Sequence, residues 1–141
     1  MSGPVEWVLP EGCAEGKILL PDGACICYII EKYEKNMKIP KNRYTKWMDC
    51  DIIRNTLHFR TRRSGDWIQV LAEGGRKKLK EYLVNEKIPG EERDRLILLA
   101  EGDEILWVLG HRLSEKVKVK ENTKRVLKLT YIGGSGDGTE E

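Results

Sequence analysis

The run Thr56-Leu57-His58-Phe59-Arg60-Thr61-Arg62 leads directly into Arg63-Ser64-Gly65-Asp66-Trp67. Leu57, Phe59 and Thr61 alternate with His58, Arg60 and Arg62. A period of two predicts a strand with one apolar and one basic face. Ser64-Gly65-Asp66 carries turn chemistry, and Trp67 to Leu71 resumes an extended segment. The stretch therefore predicts a strand-rich fold with cationic side chains gathered at a strand end and its turn.

Upstream, Ile18-Leu19-Leu20 runs into the turn tripeptide Pro21-Asp22-Gly23, and Ala24 to Ile30 is rich in β-formers. This predicts a hairpin. Glu31 to Asn42, with Pro40 inside it, reads as a connector, and Thr45 to Met48 as a short strand. Downstream, Glu73-Gly74-Gly75 reads as a loop whose glycines let the backbone approach a ligand. Leu79, Tyr82 and Leu83 then fall at helical spacing, which predicts one amphipathic helix over Arg76 to Lys87. Pro89-Gly90 separates it from a second short helix with Glu91 and Glu92 at its start and Arg93 and Arg95 at its end, the charge order that the helix dipole favours.

Ile97 to Ala100 and Glu104 to Val108 flank Glu101-Gly102-Asp103 as a second hairpin. Val117 and Val119 alternate with Lys116, Lys118 and Lys120, as on an exposed edge strand. Arg125 to Ile132 reads as a final strand. The fold class expected is α+β: a β-rich, sandwich- or barrel-like domain with two short helices inserted near the middle. Its expected organisation is an N-terminal hairpin region and connector over residues 1–43, the main domain over 44–132, and a disordered Gly-rich tail over 133–141.

The chain has 141 residues, 40% of them hydrophobic and 34% charged, which suits one domain with a wet surface. No apolar run approaches the roughly 20 residues of a membrane helix, and Met1 to Glu6 has neither the basic flank nor the apolar core of a secretory signal. Cys13, Cys25, Cys27 and Cys50 form no C-x-x-C pair and read as reduced, mostly buried thiols of a cytoplasmic protein rather than metal ligands. Trp47 and Trp107 sit in apolar strand contexts and read as core, and packing is also the simpler role for Trp67.

Signals for catalysis are weak. Gly74-Gly75-Arg76-Lys77-Lys78 lacks the spacing and the Ser/Thr of a phosphate-binding P-loop. Neither His58 nor His111 has an evident nucleophile partner, and Gly133 to Gly138 has no following helix to make a pyrophosphate loop. The net charge of +2 is unevenly spread: Arg54, Arg60, Arg62, Arg63, Arg76, Lys77, Lys78 and Lys80 crowd one stretch. On a strand, Arg60 and Arg62 would project from one face about 7 Å apart, close to the spacing of neighbouring phosphates. Lys77, Lys78 and Lys80 would add charge at a helix start. This is the footprint of a phosphate-backbone reader. The competing account is a solvated face with weak ion pairs to Asp66, Glu73 and Glu81.

Arg60-Thr61-Arg62-Arg63-Ser64-Gly65-Asp66 resembles the R-T-R-R-P-G-D signature of the C-terminal domain of tRNA(Ile)-lysidine synthetases. In order follow Arg76-Lys77-Lys78-Leu79-Lys80-Glu81-Tyr82, Lys87-Ile88-Pro89 with Glu91 to Arg95, Ile105 to Val108 with Gly110, Arg112, Ser114 and Glu115, and Thr123 to Leu127. The resemblance is strong over residues 56–130 and extends weakly upstream to about residue 18. It implies an enzyme that uses ATP to join lysine to the wobble cytidine of an isoleucine tRNA with a CAU anticodon. ATP and Mg would belong to an N-terminal catalytic domain, a partner absent here, so this chain would need no cofactor and carry no catalytic residue.

The resemblance further implies a domain like one in the phenylalanyl-tRNA synthetase β chain, gripping the tRNA acceptor stem. Arg60, Arg62, Arg63, Arg76, Lys77, Lys78 and Lys80 would face RNA, with Arg93, Arg112 and Ser114 contributing. Gly65-Asp66 would fix the turn. Ser64 stands where the family has proline, Gly90 where it usually has arginine, and Leu109 where proline is common. The alternative is a non-catalytic docking module for other proteins.

Overall fold

The computed structural model describes residues 3–133. Its strands are β1 (Val5–Trp7), β2 (Ala14–Leu19), β3 (Cys25–Lys32), β4 (Thr45–Asp49), β5 (Leu57–Arg60), β6 (Trp67–Gln69), β7 (Arg76–Lys78), β8 (Leu98–Glu101), β9 (Glu104–Val108), β10 (Arg112–Leu113) and β11 (Arg125–Ile132). Two helices, α1 (Leu79–Asn85) and α2 (Gly90–Arg93), lie between β7 and β8. The architecture is strand-rich α+β with two short mid-chain helices, as the sequence predicts.

The strands form two open sheets. The larger has the order β1-β5-β8-β9-β6-β7, with β10 also paired to β9. The smaller has the order β2-β3-β11-β4. Of the named strand pairs, only β6 and β9 run parallel. The predicted hairpins are both present, β2–β3 turning at Pro21-Asp22-Gly23 and β8–β9 at Gly102-Asp103.

The segment 1–43 is woven into the remainder. β3 pairs with β11 from Arg125↔Lys32 to Ile132↔Cys25, and β1 pairs with β5. One apolar cluster joins Trp7, Ile26 and Ile30 to Phe59, Trp107, Leu127 and Leu129, so residues before and after position 43 share a core. Trp7 is its keystone: its ring lies 5.9 Å from Phe59 and 5.0 Å from Tyr28. Of the expected tail, residues 134–141 lie outside the described residues.

A second cluster covers the opposite face of the larger sheet. There Leu79, Tyr82 and Leu83 of α1 pack on Ile68, Leu98, Ala100, Ile105 and Val108. Both faces of the β8–β9 hairpin are therefore buried, and β9 shows no polar alternation. A bulge lies between Leu99 and Ala100, where the register jumps from Trp107 to Ile105 and leaves Leu106 over. Leu106 and Trp107 thereby join the same cluster although they are neighbours in sequence.

Three local expectations are corrected. Residues 76–87 are not one helix: Arg76–Lys78 is a strand paired with β6, and helix begins only at Leu79. Glu115–Val117 is a 3-10 turn capped by Ser114, so the lysine stripe is not an edge strand; Lys116 pairs with buried Glu104 at 2.7 Å. Of the cysteines only Cys50 is buried, and Cys13 is exposed.

Candidate nucleic-acid interface

β5 and β6 are consecutive in sequence, yet β8 and β9 lie between them in the sheet. The connecting segment Thr61–Asp66 must pass both, and it is held by one buried ion pair. Arg60 donates from Nη2 to Asp66 Oδ1 at 2.8 Å and from Nη1 to Oδ2 at 2.9 Å. Nη1 also donates to the Thr61 carbonyl, and Nη2 to the Gly102 carbonyl in the β8–β9 turn. Arg60 is 3% exposed and Asp66 4%. A buried fork of this kind is stable only when its hydrogen-bonding capacity is filled.

Asp66 is also the junction to the next basic segment. Its Oδ2 accepts from the Arg63 N–H at 2.8 Å, its N–H donates to the Arg63 carbonyl at 3.3 Å, and its carbonyl accepts the Leu79 N–H at 2.9 Å. These bonds close the turn Arg63-Ser64-Gly65-Asp66 and pin it to the start of α1. Gly65 has φ 92, a conformation that side chains resist. Glycine at positive φ in the third turn position favours proline in the second, where this chain has Ser64.

The two segments together line a cleft of about 680 Å3. Arg62 and Arg63 come from the turn side, Lys78 and Lys80 from the β7–α1 junction, and Asp94 lies beside them. Arg62 is tied to Asp94 through Nε at 2.9 Å. Among the described residues, Arg63, Lys78 and Lys80 are exposed and none of them lies in an ion pair. Glu73 and Glu81 hold none of these cations, whereas Asp66, the third acid expected to pair, holds Arg60 in the interior.

Other residues expected to touch RNA have different places. Arg60 is interior and occupied by Asp66. Ser114 is also interior, capping the turn at Lys116. Arg112 donates to the Val70 carbonyl and pairs with Glu115, while Arg93 Nε donates to the Ile88 carbonyl in the segment between α1 and α2. Arg76 is exposed but lies 3.7 Å over the Trp67 ring, which covers the face a base would stack on. Lys77 shares its sheet face with Ile68, opposite Arg76 and Lys78. Gly74 and Gly75 serve the β6–β7 turn: Gly74 has φ 107, and a Cβ on Gly75 would lie 2.8 Å from Leu71. That the basic 76–78 stretch is a strand had no sequence signal, since its pairing with β6 is a tertiary fact.

The cleft is lined by four cations, Arg62, Arg63, Lys78 and Lys80, with Asp94 beside them, and among the described residues no cluster of metal ligands is present. The sequence profile described as "TilS substrate C-terminal domain" matches residues 57–129. The chain is 47% identical over 91 residues to a tRNA(Ile)-lysidine synthase of Caldanaerobacter subterraneus subsp. tengcongensis, covering 64% of this chain and 20% of that protein. It is 42% identical over 105 residues to that of Clostridium perfringens, covering 74% and 22%. A solved structure titled "Crystal structure of TILS C-terminal domain" superposes with a TM-score of 0.67 at 32% identity, covering 92% of this chain and 97% of that one. The chain belongs to the family of tRNA(Ile)-lysidine synthase C-terminal domains. It spans about a fifth of the length of those two synthases.

The lock at Arg60 and the turn at Ser64 predict opposite effects in one urea-denaturation experiment. Arg60→Ala strands Asp66 in the interior and is expected to cost about 3–5 kcal/mol. Ser64→Pro restricts the unfolded chain at a compatible position and is expected to stabilise by about 0.4–1 kcal/mol.

Proposed function

We propose that this domain grips the acceptor stem of an isoleucine tRNA with a CAU anticodon, within a cytoplasmic enzyme that joins lysine to the wobble cytidine using ATP. The observation that carries this reading is the cleft in which Arg62, Arg63, Lys78 and Lys80 converge from two segments joined through Asp66. Family membership supplies the context, and the catalytic domain with its ATP and Mg would lie elsewhere in the enzyme.

The roles divide by geometry. Arg63, Lys78 and Lys80 supply free cations for phosphates, and Arg62 can exchange Asp94 for a phosphate at small cost, because the Asp94 side chain is 72% exposed. Exposed Arg76, stacked on Trp67, extends the charge along β7, and half-buried Lys77 adds to the local potential. Arg60, Arg93, Arg112 and Ser114 act by holding the frame. RNA duplexes are read mainly through backbone, 2′-OH and shape, which suits a rigid array of cations. The tether to a catalytic domain would convert modest binding here into tRNA selection by effective concentration. The two sheets packed around a common cluster also fit the sandwich-like layering expected of such a module.

Binding of an acceptor-stem minihelix, titrated over a range of salt, tests the reading. Affinity is expected to fall steeply with salt, and Arg63→Ala and Lys78→Ala are each expected to lower the slope of log K against log salt by about one. Failure of the folded domain to bind at low salt would instead favour a protein-docking module.

A further inference from the structure

A second basic concavity lies apart from the cleft, and the two share no lining residue. Its volume is about 520 Å3, and it gathers Lys41, Arg43, Lys46, His111, Arg112 and Lys118. Trp47 and Leu113 provide apolar wall, and no carboxylate lines it. Four pieces of the chain build it. Asn42 Oδ1 accepts the N–H groups of Tyr44 and Thr45, fixing the bend beside Lys41 and Arg43. β4 supplies Lys46 and Trp47. Gly110, at φ 81, turns β9 into β10 near the Tyr44 ring, which a Cβ at this position would meet at 3.6 Å, so His111 and Arg112 lie beside that bend. Lys118 follows the Ser114-capped turn and bridges to β4 opposite Met48.

The acid supply at this place is short. Arg112 and Lys118 share one carboxylate, Glu115, at 3.1 and 2.6 Å. Among the described residues, Lys41, Arg43 and Lys46 lie in no ion pair; Arg43 donates only to its neighbour's hydroxyl, Tyr44 Oη. Crowded like charges are costly unless something of opposite sign joins them. The Lys46 ammonium is held below its ordinary value by burial and by Lys118. His111 is held low by burial and by Arg43, against the opposing pull of Glu92 and Glu86 from the α2 and α1 ends.

We propose that this pocket is a second phosphate-binding site, independent of the Arg62–Lys80 cleft, that takes a phosphate group between Arg43, Lys46, His111 and Lys118. A bound phosphate neutralises the crowded cations and favours protonated His111, so binding raises the His111 pKa. The site follows from the pocket's own geometry and does not depend on the tRNA reading; only the source of the phosphate does.

The test is an NMR titration of the His111 imidazole in the folded chain, with pyrophosphate as probe at about 150 mM salt, where loose surface pairs are screened. The expected result is a saturable rise in the His111 pKa. Arg43→Gln and Lys46→Gln, each checked for an unchanged melting temperature, are expected to weaken pyrophosphate at least about tenfold. The double cleft variant Arg63→Ala/Lys78→Ala is expected to keep the full response. No His111 response, or an equal response in Arg43→Gln and Lys46→Gln, overturns the site. Loss of the response in the cleft variant overturns its independence. Short RNA duplexes with and without a 5′-phosphate then assign the source. A response confined to the phosphorylated duplex supports a terminal phosphate, an equal response supports internal phosphodiesters, and a response to pyrophosphate alone supports a small-anion ligand.

Discussion

Everything at the candidate interface hangs on the buried pair of Arg60 and Asp66. Two charges taken out of water cost several kcal/mol each unless their bonding capacity is filled. Here the Asp66 carboxylate takes three donors and the Arg60 guanidinium reaches two carbonyls besides the acid. The geometry that satisfies these charges also fixes the path of Thr61–Asp66 past β8 and β9. Through the Asp66 carbonyl it fixes the start of α1 as well. The exposed cations are thus arranged by a charge pair that never meets solvent.

The larger sheet makes this arrangement rigid. Its centre is buried on one face against the smaller sheet's residues and on the other against α1. The Leu106 bulge lets two neighbouring large side chains serve one face. Short elements at the sheet margin, β7 and the first turn of α1, then carry Lys78 and Lys80 on a stiff base. With the backbone of these cations already fixed, only side-chain freedom is lost on meeting a phosphate, which is where a folded basic surface gains over a disordered basic tail.

Much of the fold was legible because its signals are local. The strand begun by Leu57 and Phe59, the turns Pro21-Asp22-Gly23 and Glu101-Gly102-Asp103, and the helical spacing of Leu79, Tyr82 and Leu83 reappear in the structure, though the strand ends at Arg60, before Thr61 and Arg62, and Arg60 is buried. The errors arise where a distant partner overrides local pattern. Arg76-Lys77-Lys78 reads as the start of a helix and becomes a strand only because Trp67–Gln69 lies alongside. Alternation at residues 116–120 mimics a strand, but Ser114 caps a tight turn there instead.

The basic segment itself was legible from charge density, whereas the role of each cation was not. Arg60 and Arg62 look equivalent in sequence, yet one is locked to Asp66 inside and the other rests on Asp94 at the surface. The pocket around His111 escaped sequence reasoning because its cations come from segments some seventy residues apart, with no local cluster to flag it.

The central claim is that one structural lock presents the Arg62–Lys80 cleft to an RNA duplex. Amide chemical-shift mapping of the chain with an acceptor-stem minihelix tests it most directly. The account predicts saturable shifts concentrated at Arg62 to Gly65 and Lys78 to Lys80, with the Arg60–Asp66 pair preserved. Shifts absent from both segments while the minihelix is bound elsewhere would contradict it.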